Sequence, residues 1–167
     1  ELIELETQRC VEILTQFLSF TRPQEVERAP VDLTDVVKSA ARLAGHQLMM
    51  SGVQLEVAIA DDLPRVMADG GALRQVVLNL LINAMQACAG RSGQVRIVGQ
   101  RLADGSVELQ VHDDGPGIAA EVADHIFDPF YTTKVESGGT GMGLAMSRAI
   151  IEEHAGTLAL VSPPGRG

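Results

Sequence analysis

Residues 113–144, DDGPGIAAEVADHIFDPFYTTKVESGGTGMGL, limit what this chain can fold into more than any other stretch. They open on Asp113-x-Gly115-x-Gly117 and close on Gly139-x-Gly141-x-Gly143-Leu144, with a Gly-, Ser- and Thr-rich loop between. Asp113 follows residues 106–111, where Val107, Leu109 and Val111 share one face of a predicted strand. A carboxylate at the end of a strand, followed by glycines, can accept a hydrogen bond from a ligand amino group while the backbone stays close. The second glycine group precedes a helix predicted from Leu144. Glycines there let backbone N–H groups point at an anion, and the helix N-terminus adds a favourable dipole. One end suits a base and the other suits phosphates, so a nucleotide is the natural ligand to bridge them. The competing account is tight turns alone, which a single Gly-x-Gly more often makes. Against it stand two glycine clusters at opposite ends of one stretch, with Phe127-Asp-Pro-Phe-Tyr-Thr-Thr-Lys134 between them.

The rest of the 167-residue chain reads as one domain with a short appendage. Residues 1–21 predict a helix in which Ile3, Cys10 and Phe17 form a stripe widened by Ile13, Leu14 and Leu18. A coiled-coil or bundle contact with another chain would cover that stripe, as would docking on the domain's own surface. Pro23 ends the helix, and residues 24–30 form a polar linker. Residues 31–50 predict a second helix, begun at Asp32, with Val36, Val37, Ala40, Leu43 and Ala44 inward. Residues 53–59 alternate as a strand, and 66–68 are a short extended piece. Residues 94–101 and 106–111 are strands joined through Ala103-Asp-Gly105, a hairpin signal. A short helix is expected over 121–127, a mobile loop over 128–141, a helix over 144–154 and a strand over 157–161. Together these elements predict an α+β fold, an α/β sandwich with helices on one face of a mixed sheet.

Residues 72–89 predict the other informative helix. It is apolar nearly all round, yet Gln75, Asn79, Asn83 and Gln86 form one stripe at steps of four, four and three. Uncharged amides on an otherwise buried helix must find partners. Asn oxygens can ligate a hard cation such as Mg²⁺, which uses few protein ligands and keeps several waters. An internal ladder of amide hydrogen bonds would satisfy the same residues.

The formal net charge of −9 argues against nucleic-acid binding and against contact with an anionic membrane, both of which need basic patches. It also requires a metal ion and local donors if a polyanionic nucleotide is to be held. Cys10 and Cys88 show neither metal spacing nor a disulfide framework and read as small buried residues in a reducing compartment. No run of 18 apolar residues and no signal peptide is present, so a cytoplasmic location is expected. Glu1 at one end and Pro-Pro-Gly-Arg-Gly at the other read as cuts in a longer protein.

Taken in order, these motifs resemble the catalytic ATP-binding domain of two-component sensor histidine kinases, in the wording common among nitrogen-regulation-type members. Leu78-Asn-Leu-Leu-Ile-Asn-Ala84 is similar to the family's N box, Asp113 to Ile118 to its first glycine box, Phe127 to Lys134 to its F box, and Gly139 to Leu144 to its second glycine box. Residues 1–23 resemble the second helix of the dimerisation and phosphotransfer domain, followed by the linker 24–30 and a catalytic domain over 31–167. The fold implied is the histidine kinase, gyrase and Hsp90 sandwich preceded by a dimerisation helix.

The resemblance implies ATP and Mg²⁺ as ligands. Asp113 would hydrogen-bond the adenine amino group, and Gly115 and Gly117 would let the base approach. Asn83 would ligate Mg²⁺ with Asn79 beside it. Ile118, Ile126, Phe130 and Leu144 would form apolar walls, while Gly139, Thr140, Gly141 and Gly143 would face the phosphates. Asn79 and Lys134 would act at the transferring phosphoryl group. The acceptor would be a histidine imidazole, then an aspartate of a response regulator, with dimerisation through the N-terminal helix.

Gln86 stands where many members of the family carry Lys or Arg, so phosphate charge is expected to fall to Lys134 or Arg148. None of His46, His112, His125 and His154 lies in the family's acceptor motif; the acceptor is expected upstream of Glu1, and all four read as structural or surface residues. A further strand is expected beyond Gly167. Hydrolytic relatives of the gyrase, Hsp90 and MutL type place a general-base Glu on the N-box helix, where this chain has Asn79. Two further alternatives are an anti-sigma-type serine kinase and a non-catalytic nucleotide-binding regulatory module.

Overall fold

The computed structural model describes residues 28–88, 93–134 and 139–161. The helix expected over 1–21, most of the linker and Cys10 lie outside them. Among the described residues nine elements follow in order: β1 (Ala29–Val31), α1 (Leu33–Ser51), β2 (Gln54–Ile59), β3 (Val66–Ala68), α2 (Gly70–Ala87), β4 (Gln94–Arg101), β5 (Val107–Asp113), α3 (Ala120–Ala123) and α4 (Gly143–Glu153). Ala29 and Pro30, counted from the sequence to the linker, instead belong to β1, which pairs antiparallel with β3.

The main sheet is mixed, in the order β2-β4-β5, with β2 and β4 parallel and β4 and β5 antiparallel. Val95 and Ile97 of β4 are buried under the helices, and Gly99 is buried against Ile59 and Leu63. On the opposite face Arg96 reaches Glu56 of β2 at 3.3 Å, with both side chains about half exposed. One face is therefore covered and the other wet, as the alternation requires. The β4–β5 register pairs Val95 with Asp113, so the hairpin delivers Asp113 to the sheet end where β4 begins. Gly105 makes the turn at φ +87°.

Both long helices are capped by aspartates. The Asp32 carboxylate accepts from Thr34 N at 2.8 Å, and Asp69 accepts from Gly71 N and Ala72 N at 2.7 and 3.0 Å. Gly52 closes α1 in the left-handed conformation. Val37, Ala40 and Ala44 of α1 pack against Leu73, Val77, Leu81 and Ala84 of α2 and against Val95 and Ile97 of β4. Leu43 departs from the sequence reading: it is 60% exposed, although Val36, two turns earlier on the same side of α1, is buried.

Two further expectations are corrected. The helix over 121–127 shrinks to Ala120–Ala123 and continues as turns, with His125 N bonding Val122 O, and Asp128 N bonding His125 O. Pro129 disfavours helical backbone at Asp128. Residues 157–161 do not form a strand. Leu158 and Leu160 are half-buried between exposed neighbours, but alternation becomes a strand only with a ladder partner, and none pairs with this segment among the described residues.

Candidate nucleotide site

Asp113 ends β5 and folds its carboxylate back on the following turn, where Oδ1 accepts from Gly115 N at 2.8 Å. A Cβ at Gly115 would lie 2.4 Å from that oxygen and 2.9 Å from the Ala87 Cβ, so only glycine lets the turn close on the end of α2. Gly117 takes φ +74°. Beneath the turn, the buried Cys88 thiol donates to Asp114 Oδ1 at 3.0 Å, and Asp114 N bonds Gln94 O. Burial above all, then the Asp114 carboxylate, pushes the thiol up to about 11. Cys88 is thus a protonated strut rather than a nucleophile.

The amide stripe of α2 divides into two parts. Gln75 Nε2 donates to Asn79 Oδ1 at 3.0 Å, and Asn79 Nδ2 reaches Gly143 O and Ser147 Oγ, both at 3.3 Å. The fully buried Ser147 hydroxyl donates to Gly143 O at 2.8 Å. This triangle fixes the first turn of α4 against the middle of α2. One turn on, the half-buried Asn83 side-chain amide makes no hydrogen bond among the described residues. Lys134 Nζ meets Gln86 Oε1 at 3.0 Å and the Asn83 carbonyl oxygen at 3.5 Å. Burial draws the Lys134 ammonium below its ordinary range, partly offset by the Asp113 carboxylate.

Two backbone contacts pin the base of the loop expected over 128–141. Phe130 N donates to Gly141 O at 3.0 Å, and Gly139 N donates to Lys134 O at 2.9 Å. Gly141 has φ +67°, and a Cβ there would lie 2.4 Å from the Phe130 carbonyl carbon. Phe130 itself takes φ 67°, and its side chain belongs to a residue 63% exposed. Thr140 Oγ1 accepts from Met142 N at 3.4 Å. Ile126 is buried, and Ile118 and Leu144 are half-buried. Arg148 lies over the Phe127 ring at 5.4 Å and pairs with Glu152 at 2.8 Å.

Residues 68–167 match the family model described as histidine kinase-, DNA gyrase B-, and HSP90-like ATPase. The chain belongs to this family. Sensor histidine kinase ZraS of Escherichia coli strain K12 is 36% identical over 162 residues, 97% of this chain and 34% of that protein. The sensory histidine kinase/phosphatase NtrB of Rhodobacter capsulatus is 37% identical, over 99% of this chain and 49% of its own length. Among solved structures, full-length ShkA in complex with AMPPNP superposes with a TM-score of 0.80 at 28% identity, covering 96% of this chain and 33% of that one. Histidine kinase ThkA in complex with the response regulator protein TrrA superposes at 0.74 with 26% identity, covering 93% and 43%. The chain spans about a third of the length of ZraS. Within the family it is a catalytic ATP-binding domain of the histidine kinase type.

Against that family frame, the fold brings four sequence motifs together: on the helix that carries Asn79 and Asn83, Asp113 and Gly115 meet its end, Lys134 meets Asn83 and Gln86, and Gly143 meets Asn79. Sequence reasoning missed Ser147, Cys88 and Asp114 as supports. Ser147 was discoverable, since it stands one turn after Gly143 on the same helix face. Of the four histidines, His154 has a structural task. Its Nε2 accepts from Asp69 N at 2.9 Å while Nδ1 donates to Ile150 O at 2.7 Å, tying the end of α4 to the cap of α2.

Proposed function

We propose that this chain binds ATP with Mg²⁺ and transfers the γ-phosphoryl group to a histidine lying outside it, for relay to a response-regulator aspartate. One observation carries the reading: α2 joins the Asp113 turn at its end to the glycine-led start of α4 at its middle, with Asn83 and Lys134 between. A ligand with an amino-bearing base at one end and phosphates at the other suits that spacing.

In this reading Asp113 accepts from the adenine amino group while Gly115 and Gly117 keep the turn thin. Gly139, Thr140, Gly141 and Gly143 lead the chain into α4, so that its first N–H groups face the phosphates. Ile118, Ile126, Phe130 and Leu144 supply apolar contact. Among the described residues no group of three or more His, Cys, Asp and Glu could hold a metal ion. A donor set of amide oxygen, water and substrate phosphate suits Mg²⁺, and Asn83 would supply the amide oxygen. Asn79, whose oxygen already accepts from Gln75, positions α4 beside it. Bound Mg²⁺ neutralises charge on the phosphates, and the protein's part is placement of donors and exclusion of water.

Gly70–Ala87 contains no carboxylate, which disfavours a water-activating base on α2 and supports transfer over hydrolysis. The AMPPNP held by ShkA and the regulator bound to ThkA support the nucleotide and the partner proposed here. No helix among the described residues is long and apolar enough to cross a membrane. We place the domain in the cytoplasm, where ATP and response regulators meet, as part of a dimer built through residues 1–23. The test is to supply the histidine-bearing helix in trans with γ-labelled ATP. Label on that helix, and then on a receiver domain, is expected. Release of free phosphate with neither labelled would contradict the proposal.

A further inference from the structure

We infer that His154 is a proton-sensitive positioning residue for the nucleotide site: its neutral ring pins the far end of α4 to the cap of α2, and a proton on that ring undoes the pin. This rests on the reading in which the start of α4 faces the phosphates. The two bonds of the ring leave it one protonation state. Nε2 is met by Asp69 N at 2.9 Å, and that N–H can only donate. Nδ1 lies 2.7 Å from Ile150 O, which can only accept. The ring is therefore the neutral tautomer with its proton on Nδ1. An imidazolium would set N–H against N–H, and the half-buried Asp69 amide would lose its acceptor.

α4 is hydrogen-bonded to α2 and its cap at two places. Gly143 and Ser147 meet Asn79 near its start, and His154 meets Asp69 just beyond its end. With the second pin gone, α4 pivots about the first, which is the end that faces the phosphates. Ala155 follows at φ 57°, a left-handed conformation that a non-glycine residue keeps only where its surroundings impose it. The charged groups on the chain around the ring are Arg28, Asp69, Arg74, Glu152 and Glu153. The Asp69 carboxylate accepts from Gly71 N and Ala72 N, Glu152 pairs with Arg148, and Arg28 donates to the Glu153 carbonyl. β3, which leads into Asp69, and β1, which pairs with it, bring no titratable group. A charged ring is thus repelled by the Asp69 amide and drawn to the Asp69 carboxylate, which loosens the α2 cap along with the pin.

The experiment measures binding of a non-hydrolysable ATP analogue with Mg²⁺ to the intact chain at about pH 8 and about pH 5.5, a span across which imidazole changes charge, beside His154→Gln. Glutamine carries an amide oxygen where Nε2 stood and does not titrate, and Ile150 O keeps its bond from the backbone N–H of residue 154. The two proteins should bind about equally at the higher pH. On acidification the unaltered chain should lose about fivefold more affinity than the variant. Taking the difference between the two removes protonation of the analogue and of the other histidines. Hydrogen exchange at the Asp69 amide, measured without nucleotide, should lose protection at the lower pH in the unaltered chain and keep it in the variant. A parallel loss of affinity in both proteins, or an Asp69 amide equally protected at both pH values in the unaltered chain, would overturn the inference and leave the nucleotide site standing. Failure of the unaltered chain to bind the analogue at either pH would overturn both.

Discussion

Gly141 is where a single added methyl group does most harm. Its φ of +67° disfavours any L side chain, and the Phe130 carbonyl carbon would sit 2.4 Å from the new Cβ. Gly141→Ala is expected to cost about 1–3 kcal/mol from backbone strain alone, read as a lower midpoint in urea unfolding, and to weaken nucleotide binding as the loop base parts. Cys88 gives a pH signature. Its thiol titrates at about 11 rather than 9.0, so the stabilisation is complete below pH 9 and is lost as pH rises through 11. Unfolding free energy should fall across that window, and Cys88→Ala should flatten the fall. An identical slope in both proteins would remove Cys88 as its source. These residues differ in how openly the sequence declares them. Gly141 stands in a motif, whereas Cys88 gains meaning only when the fold sets Asp114 against it.

At the scale of elements, α4 depends on α2 through Asn79, Ser147 and Gly143. Ser147→Ala takes one acceptor from the half-buried Asn79 amide, which keeps Gly143 O, and is expected to cost about 0.5–1.5 kcal/mol. If the triangle also aims α4 at the phosphates, nucleotide affinity should drop while the chain remains folded. Asn79→Ala and the double variant should then be strongly non-additive. Additive losses would mean that the two residues act separately. The elements themselves were mostly written in the sequence: β4 ran over 94–101 as expected, and the amide stripe marked the face of α2 that meets α4 and Lys134. Residues 157–161 show the limit of that method. Alternation of Leu158 and Leu160 states a preference for pairing, but hydrogen bonds come from a partner that local pattern cannot supply. Leu43 shows a related limit, since periodicity puts it on the side of the buried Val36 and cannot say how far along the helix that side stays covered.

For the molecule as a whole, the net charge of −9 opposes a polyanionic ligand, and the site must offset that field locally. In the proposed reading Lys134 and the start of α4 supply that offset, and Asn83 supplies the amide for a cation. Affinity for an ATP analogue should therefore fall steeply when Mg²⁺ is chelated. Motif order made the two ends of the proposed site legible in the sequence. The link between them was not, because it runs through α2 and through contacts that only the packed sandwich creates. Titration calorimetry of the chain with a non-hydrolysable ATP analogue and Mg²⁺, beside Asp113→Asn, tests the account most directly. Micromolar binding by the unaltered chain, about −8 kcal/mol, and its loss in Asp113→Asn is the expected result. Equal binding by both proteins would contradict the placement of the base at Asp113, and no binding by either would contradict the nucleotide site itself.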